Sequence, residues 1–197
     1  MSSDLARALA NLIRKGTVES VTTRPARARV QVGGLLTAPL PWVSLRASAK
    51  KVRHWSPPAV GEQVLVFSPF GELGGGVVLA GIPSDKNPVP DGATEDNVIM
   101  AFGDGAVFLY DMASHVLRGT LPEGGRVELA APGGFLLTGD TVVDGKLTVS
   151  KDVEIGGDAH ADGTITGDTD VIAAGISGKG HKHGGVQAGG TFTQAPT

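Results

Sequence analysis

The sequence contains no cysteine, which excludes disulfide bonds, zinc–thiolate sites and iron–sulfur clusters. No stretch approaches the roughly 20 apolar residues that span a bilayer, and the N-terminus lacks the basic and apolar regions of a signal peptide. We therefore expect a protein that is made in the cytoplasm. Its stability must come from burial, from assembly, or from metals held by histidine and carboxylate side chains.

Aromatic residues are scarce, at 5% of the 197 residues, whereas glycine occurs 30 times. This composition favours short strands and tight turns over a thick core filled with aromatic rings. The formal net charge is −3 at pH 7, so no global basic field indicates a nucleic-acid partner. Composition alone therefore points to a thin all-β protein.

The N-terminal part of the chain predicts a short helix followed by a small barrel. Residues 3–15, within an N-terminal segment 1–16, carry apolar residues at helical spacing, and Lys15-Gly16 is expected to end the helix. Over residues 17–83 the apolar pattern changes to alternation, with candidate strands at 18–21, 29–32, 40–43, 63–67 and 77–81. Five short strands in such a segment fit an OB-fold barrel.

A proline-rich linker, residues 84–97, is followed by a second β region. Its candidate strands lie at 98–102, 106–110, 115–121, 126–130 and 135–138, separated by turns rich in glycine. These strands are short and rich in small residues, so they offer little volume for an independent core. We expect them to be parts of a larger, shared core.

From about residue 140 the sequence repeats every six residues. One apolar series is Leu147, Val153, Ala159, Ile165 and Val171, and a second series lies two residues further on, from Val149 to Ala173. A single chain of three-residue strands leaves its backbone groups unpaired and its apolar side chains half solvated. Three chains wound around a common axis solve both problems. The repeat therefore predicts a homotrimer, with residues 98–173 forming an intertwined triple-stranded β-helix, or β-prism, spike.

Two histidines, His181 and His183, lie one residue apart in the glycine-rich segment 174–197, which we expect to form a metal-binding apex. In an extended chain both side chains point the same way. Three copies around an axis would supply six imidazole nitrogens, which favours iron or another octahedral ion over four-coordinate zinc. Such a closed site would be structural. The alternative is a pair of solvated histidines on a flexible tail.

The remaining candidate residues can be accounted for more simply. His54, His115 and His160 are expected to be ordinary surface or paired histidines, in a loop, in a strand and facing outward, respectively. The basic run Arg24–Arg29 fits a solvated turn better than a nucleic-acid stripe, because no aromatic stacking residues are interleaved with it. Turn formation accounts for the following acidic residues without calcium: Asp158, Asp162, Asp168 and Asp170.

Four segments of the chain occur in an order that is typical of one family. They are Gly16-Thr-Val-Glu-Ser-Val21, the segment from Trp55 to Val64, the hexad repeat, and the segment from His181 to Phe192. In this order they resemble baseplate assembly protein V, the central, membrane-piercing baseplate spike of contractile-tailed phages.

The resemblance implies a virion protein at the tip of the tail baseplate, made in the host cytoplasm. Its barrel would dock to the baseplate hub and tail tube proteins, and sheath contraction would drive the trimeric spike through the host outer membrane before genome ejection. The family's tip implies one iron ion per trimer, held here by His181 and His183. Related spikes also hold chloride or calcium near the axis. The short linker leaves no room for a cell-wall hydrolase, so we expect no enzyme activity.

Two other functions stay open at this point. A hexapeptide-repeat acyltransferase is also trimeric, but five hexads make under two coils of its helix and show two apolar series. An OB-fold module that binds single-stranded nucleic acid would explain the barrel, and salt-dependent affinity for oligonucleotides would reveal it. That second alternative leaves the hexads and the histidine pair unexplained.

Overall fold

The computed structural model describes residues 3–182 together with Gly185 and Gly189. The chain divides into two compact units, the first ending at Ala130 and the second beginning at Ala131. The division thus falls within the predicted β-helical segment 98–173 and not in the predicted linker. The described part of the chain is mostly β, and none of its helices is long and apolar enough to cross a membrane.

One helix, α1 (Ser3–Asn11), precedes the first strand, β1 (Ile13–Thr23). The expectation that the helix extends to residue 15 and ends at Gly16 was wrong. Gly16 lies inside β1 opposite Val64, and a side chain on it would come within 2.5 Å of Val30 Cγ1. The apolar residues before Gly16 fit helical and strand spacing alike, and pairing of β1 along its neighbours decides between them.

The barrel is built on a five-stranded antiparallel sheet. Its remaining strands are β2 (Ala26–Val32), β3 (Leu35–Leu36), β4 (Gln63–Phe67) and β5 (Val77–Ile82), in the spatial order β3-β2-β1-β4-β5. Four of the five predicted strands therefore lie in this sheet. The sequence analysis missed β3, a two-residue strand that pairs with the end of β2.

The fifth predicted strand, residues 40–43, closes the sheet through isolated bridges. Leu40 pairs with Ala28 of β2, and Trp42 pairs with Val78 of β5. Residues 40–43 therefore connect β2 to β5, and this connection closes the sheet into a barrel. Fully buried side chains from all sides fill its core: Val18, Val30, Val32, Leu40, Val64, Val66 and Val78.

A second antiparallel sheet follows, with β6 (Asn97–Ala101), β7 (Val107–Asp111) and β8 (Val116–Thr120) in sequential order. Three of the strands predicted for this region are thereby confirmed. Residues 126–130 and 135–138 form no strand, contrary to expectation. Alternation of side chains shows which residues share a face of a strand. A strand also needs a neighbouring strand with which to pair, and within one chain these two segments have no such neighbour.

The second unit is described by itself from residue 131 to residue 182. It contains one hairpin, formed by β9 (Ile172–Ala173) and β10 (Ile176–Ser177), and residues 140–170 form no strands. None of the described apolar residues in this unit is buried. Leu147, Val153 and Ile165, for example, are 69%, 66% and 70% exposed. The repeat is therefore regular in sequence but lacks a core within one chain.

Replacing Gly16 with alanine should destabilise the barrel by about 1–3 kcal/mol, the usual cost of overpacking a filled site. The new methyl group would collide with Val30 Cγ1 at 2.5 Å and with the Gln31 carbonyl oxygen at 2.7 Å. Urea unfolding followed by tryptophan fluorescence measures the change. Gly34→Ala is the matched control, since nothing lies within 4 Å of a side chain there. Equal stability of the two variants would contradict the close approach of β1 and β2.

Candidate metal centre

A short hairpin precedes His181 and fixes the chain that carries it. In this apical hairpin, residues 170–181, Ala173 pairs with Ile176 and Ile172 with Ser177. The two turn residues, Ala174 and Gly175, both have positive φ, at 51° and 81°. A two-residue turn of this kind matches the right-handed twist of the strands it joins. The hairpin therefore has a defined register even though it is very short.

Asp170 ties the two ends of the apical hairpin together. Its Oδ1 accepts hydrogen bonds from the backbone N–H of Val171 at 2.8 Å and of Lys179 at 3.1 Å. The Ser177 hydroxyl, and next the Lys179 N–H, hold the pKa of this carboxyl group below its ordinary value. A residue explained above as a turn former thus bonds to a backbone group nine positions further along the chain.

Ser177 connects this network to His181. Its Oγ accepts the N–H of Gly180 at 2.8 Å, and its carbonyl oxygen lies 3.0 Å from His181 Nδ1. A carbonyl oxygen only accepts hydrogen bonds, so a hydrogen bond here requires a proton on Nδ1, and in the neutral ring the lone pair then lies on Nε2. A backbone carbonyl that orients a histidine in this way is a common feature behind metal-binding imidazoles. The contact thus suits the neutral tautomer that can bind a metal through Nε2.

The described residues of one chain do not assemble a complete metal site. No group of three or more histidine, cysteine, aspartate or glutamate side chains that could hold an ion occurs among them. His183 lies outside the described residues, so the pairing of His181 with His183 stays a prediction. Imidazole nitrogen suits iron, nickel, copper and zinc, and His181 fits such an ion as one ligand among several.

The other described histidines, His54, His115 and His160, have their own surroundings. His160 is exposed and its Nε2 lies 2.9 Å from Asp162 Oδ1. His54 lies in a loop, where its backbone N–H donates to the Arg46 carbonyl. His115 was expected in a strand, but it occupies the turn before β8 with φ of 58°. That turn reverses the chain between β7 and β8, which requires the positive φ.

The structure also brings together basic and aromatic residues that the sequence analysis kept apart. Trp42, Trp55 and Arg27 line one cavity of about 500 Å³ on the barrel, together with Arg46 and Arg53. No spacing in the sequence indicates this cavity, because its residues come from β2, from the bridging segment after it and from a later loop.

Comparison with known proteins identifies the barrel. Residues 14–82 match the family described as the type VI secretion system/phage-baseplate injector OB domain. The barrel is therefore similar to this OB domain. The chain is also 42% identical over 114 residues to the spike protein of Escherichia phage P2, a match that covers 58% of this chain and 53% of that protein. The chain therefore matches about half the length of this curated relative.

These two matches confirm the resemblance to baseplate spike proteins that the motifs indicated. They also confirm the predicted location, the tail baseplate of a virion. The predicted OB fold is confirmed by this match, which begins in β1 and ends with β5.

Replacing Asp170 with alanine should open the apical hairpin, because the N–H groups of Val171 and Lys179 lose a charged acceptor. We expect several-fold faster hydrogen exchange at both amides, measured by NMR. Asp168→Ala is the control, since no hydrogen bond of its side chain occurs in the described part of the chain. Equal exchange in the two variants would contradict the role of Asp170.

The same network predicts a pH dependence. Because the pKa of Asp170 is lowered, its carboxylate supports the hairpin fully above the ordinary value of 3.8, and this support is lost as the pH falls through the lower folded value.

Proposed function

We propose that this protein is a non-enzymatic, structural central spike of a phage tail baseplate. In this role it takes part in baseplate assembly and pierces the host outer membrane when the tail contracts. One observation carries the proposal: an injector OB domain is followed by an apolar six-residue repeat that has no core within a single chain. The P2 spike protein supports it as a relative.

The repeat supports a homotrimer through its exposed side chains. The two apolar series face solvent in one chain, and large exposed apolar surfaces of soluble proteins normally contact other chains. Residues 140–170 also lack strand partners of their own. Three intertwined copies would bury the series around an axis and pair the backbone between chains. The trimeric β-prism would then be rigid because separating its chains breaks both kinds of contact at once.

The partners follow from this role. The barrel would dock to the baseplate hub and tail tube proteins, and the spike would contact the host outer membrane only transiently. The barrel can serve as a separate docking body because its core is formed by its own residues, from Val18 to Val78. We include no nucleic-acid partner and no catalytic residue in this function.

At the tip, His181 and His183 from three copies would hold one iron ion. The contact between His181 Nδ1 and the Ser177 carbonyl supports this proposal, because a neutral ring with its proton on Nδ1 carries its lone pair on Nε2. When bound, the ion would cross-link three chain ends without an open coordination position. The proposal also includes chloride or calcium bound near the axis, but it names no ligands for either ion.

The first test is the oligomeric state of the full chain. We expect a native mass three times the 20.0 kDa of one chain, measured by light scattering. The double substitution Val153→Asp/Ile155→Asp should dissociate the trimer, because six unpaired carboxylates would enter its interior. Thr148→Asp/Ser150→Asp adds the same charge at positions expected to face outward, and this control should stay trimeric. A monomeric wild type would refute the assembly, and equal effects would refute the inward positions.

The second test concerns the metal. His181→Ala/His183→Ala should lose the transition metal but stay trimeric, because the prism carries most of the shared surface. Metal analysis combined with anomalous scattering measures the first effect and native mass the second. His160→Ala, which removes another exposed histidine, should keep the ion. A wild-type trimer without a transition metal would rule out the site. Dissociation of the double variant would show that the ion, and not only the prism, holds the trimer together.

A further inference from the structure

The cavity on the barrel has a composition that the proposed function leaves unexplained. We call it the Trp–Arg pocket and define it by Trp42, Trp55, Arg27, Arg46 and Arg53, which all line it. The two indole rings contact each other with centroids 5.6 Å apart and planes inclined by 52°. The pocket thus combines an aromatic wall with three arginine side chains, in a volume of about 500 Å³.

Hydrogen bonds fix the loop that forms one side of the pocket. Ala47 and Arg53 form an antiparallel bridge, and the His54 N–H donates to the Arg46 carbonyl at 2.9 Å. The Ser44 hydroxyl donates to the His54 carbonyl at 2.8 Å, which ties the loop to the segment that carries Trp42. The pocket is therefore formed before any ligand binds, which lowers the entropic cost of binding.

The three guanidinium groups have no acidic partner in the described part of the chain. None of the ion pairs found there includes Arg27, Arg46 or Arg53. Arg27 donates instead to the carbonyl of Ala26, at 2.7 Å. Each guanidinium can donate two parallel hydrogen bonds to a carboxylate. Three such groups around an apolar wall therefore select an anionic ligand with an apolar part.

The charge of the whole barrel agrees with an acidic ligand. Residues 14–82 contain nine lysines and arginines against three acidic residues, a formal net charge of +6. Residues 83–197 contain seven against sixteen, a formal net charge of −9. The small net charge of the chain is thus the sum of a basic barrel and an acidic remainder. Complementary charge at an interface increases the association rate and selects acidic partners.

We propose that the Trp–Arg pocket binds an acidic peptide segment of another protein, in which an aromatic or aliphatic side chain lies beside aspartate or glutamate. The apolar side chain would pack on Trp42 and Trp55, and the carboxylates would pair with the arginines. Tryptophan and arginine are also the residues that most often dominate binding energy at protein interfaces. The proposal rests on the proposed function only in taking that protein to be a baseplate component.

The shape of the pocket favours a peptide over single-stranded nucleic acid. Nucleic-acid grooves of OB folds present successive aromatic faces along a basic track, so that neighbouring bases stack one after another. Here both tryptophans lie in one concave pocket, and their rings pack against each other. That arrangement provides one wall for one anchored side chain.

The pocket can be tested through its own fluorescence, because Trp42 and Trp55 are the only tryptophans in the chain. The probes are twelve-residue peptides of net charge −4 that carry one Phe, Tyr, Trp or Leu, screened on an array against the full-length protein. The strongest tryptophan-free peptide is then titrated while tryptophan emission is followed. We expect saturable binding that weakens with salt, and no binding of the same peptide with asparagine and glutamine in place of its acids.

Two double variants separate the pocket from general charge attraction. Arg46→Ala/Arg53→Ala should weaken binding about tenfold or more, as expected when paired charges at an interface are removed. Lys50→Ala/Lys51→Ala removes the same charge from the same loop, but these lysines do not line the pocket, so the change should stay within about threefold.

Three outcomes would overturn the proposal. If the two double variants lost the same amount of peptide affinity, net charge alone would explain the binding. If oligothymidylate bound more tightly than any peptide, the pocket would be assigned to nucleic acid. Absence of binding by every acidic peptide would refute the peptide ligand. A protein that is trimeric and carries the metal but binds no peptide would contradict only the proposed peptide binding. A monomer that binds peptide would contradict only the proposed trimeric spike.

Discussion

Backbone hydrogen bonding is the constraint on which this structure depends. A buried N–H or C=O group must find a partner, and the barrel satisfies this need within one chain. β1 pairs with β2 on one side and β4 on the other, and residues 40–43 connect β2 to β5. The hexad region has strand-like alternation but no strand partner. Within one chain the barrel strands are therefore paired, whereas residues 140–170 of the repeat form no strands.

The sequence predicted most of the barrel because alternation reports directly which side chains share a buried face. It failed where the outcome depends on a partner strand. Gly16 looked like the end of a helix, and only its approach to Val30 shows why a strand needs glycine there. Residues 126–130 alternate as well as β6 does, yet one chain offers them nothing with which to pair.

The sequence assigns the candidate site a location, which stays a prediction, and says nothing of the contacts around His181. The spacing of His181 and His183 marked the apex, since it places two imidazoles on one side of the chain directly after the repeat. The tautomer of His181 depends on the carbonyl of Ser177, which the turn at Ala174 brings into position. The Trp–Arg pocket could not be predicted, because barrel closure brings its residues together from separate segments.

The location of the barrel core has an evolutionary consequence. All fully buried side chains of the core lie between Val18 and Val78, and no described apolar residue of the second unit is buried. An in-frame duplication or deletion of one hexad in the gene would therefore leave every core contact of the barrel unchanged. In the proposed spike, the length of the repeat and the docking surface of the barrel could then be selected independently of each other.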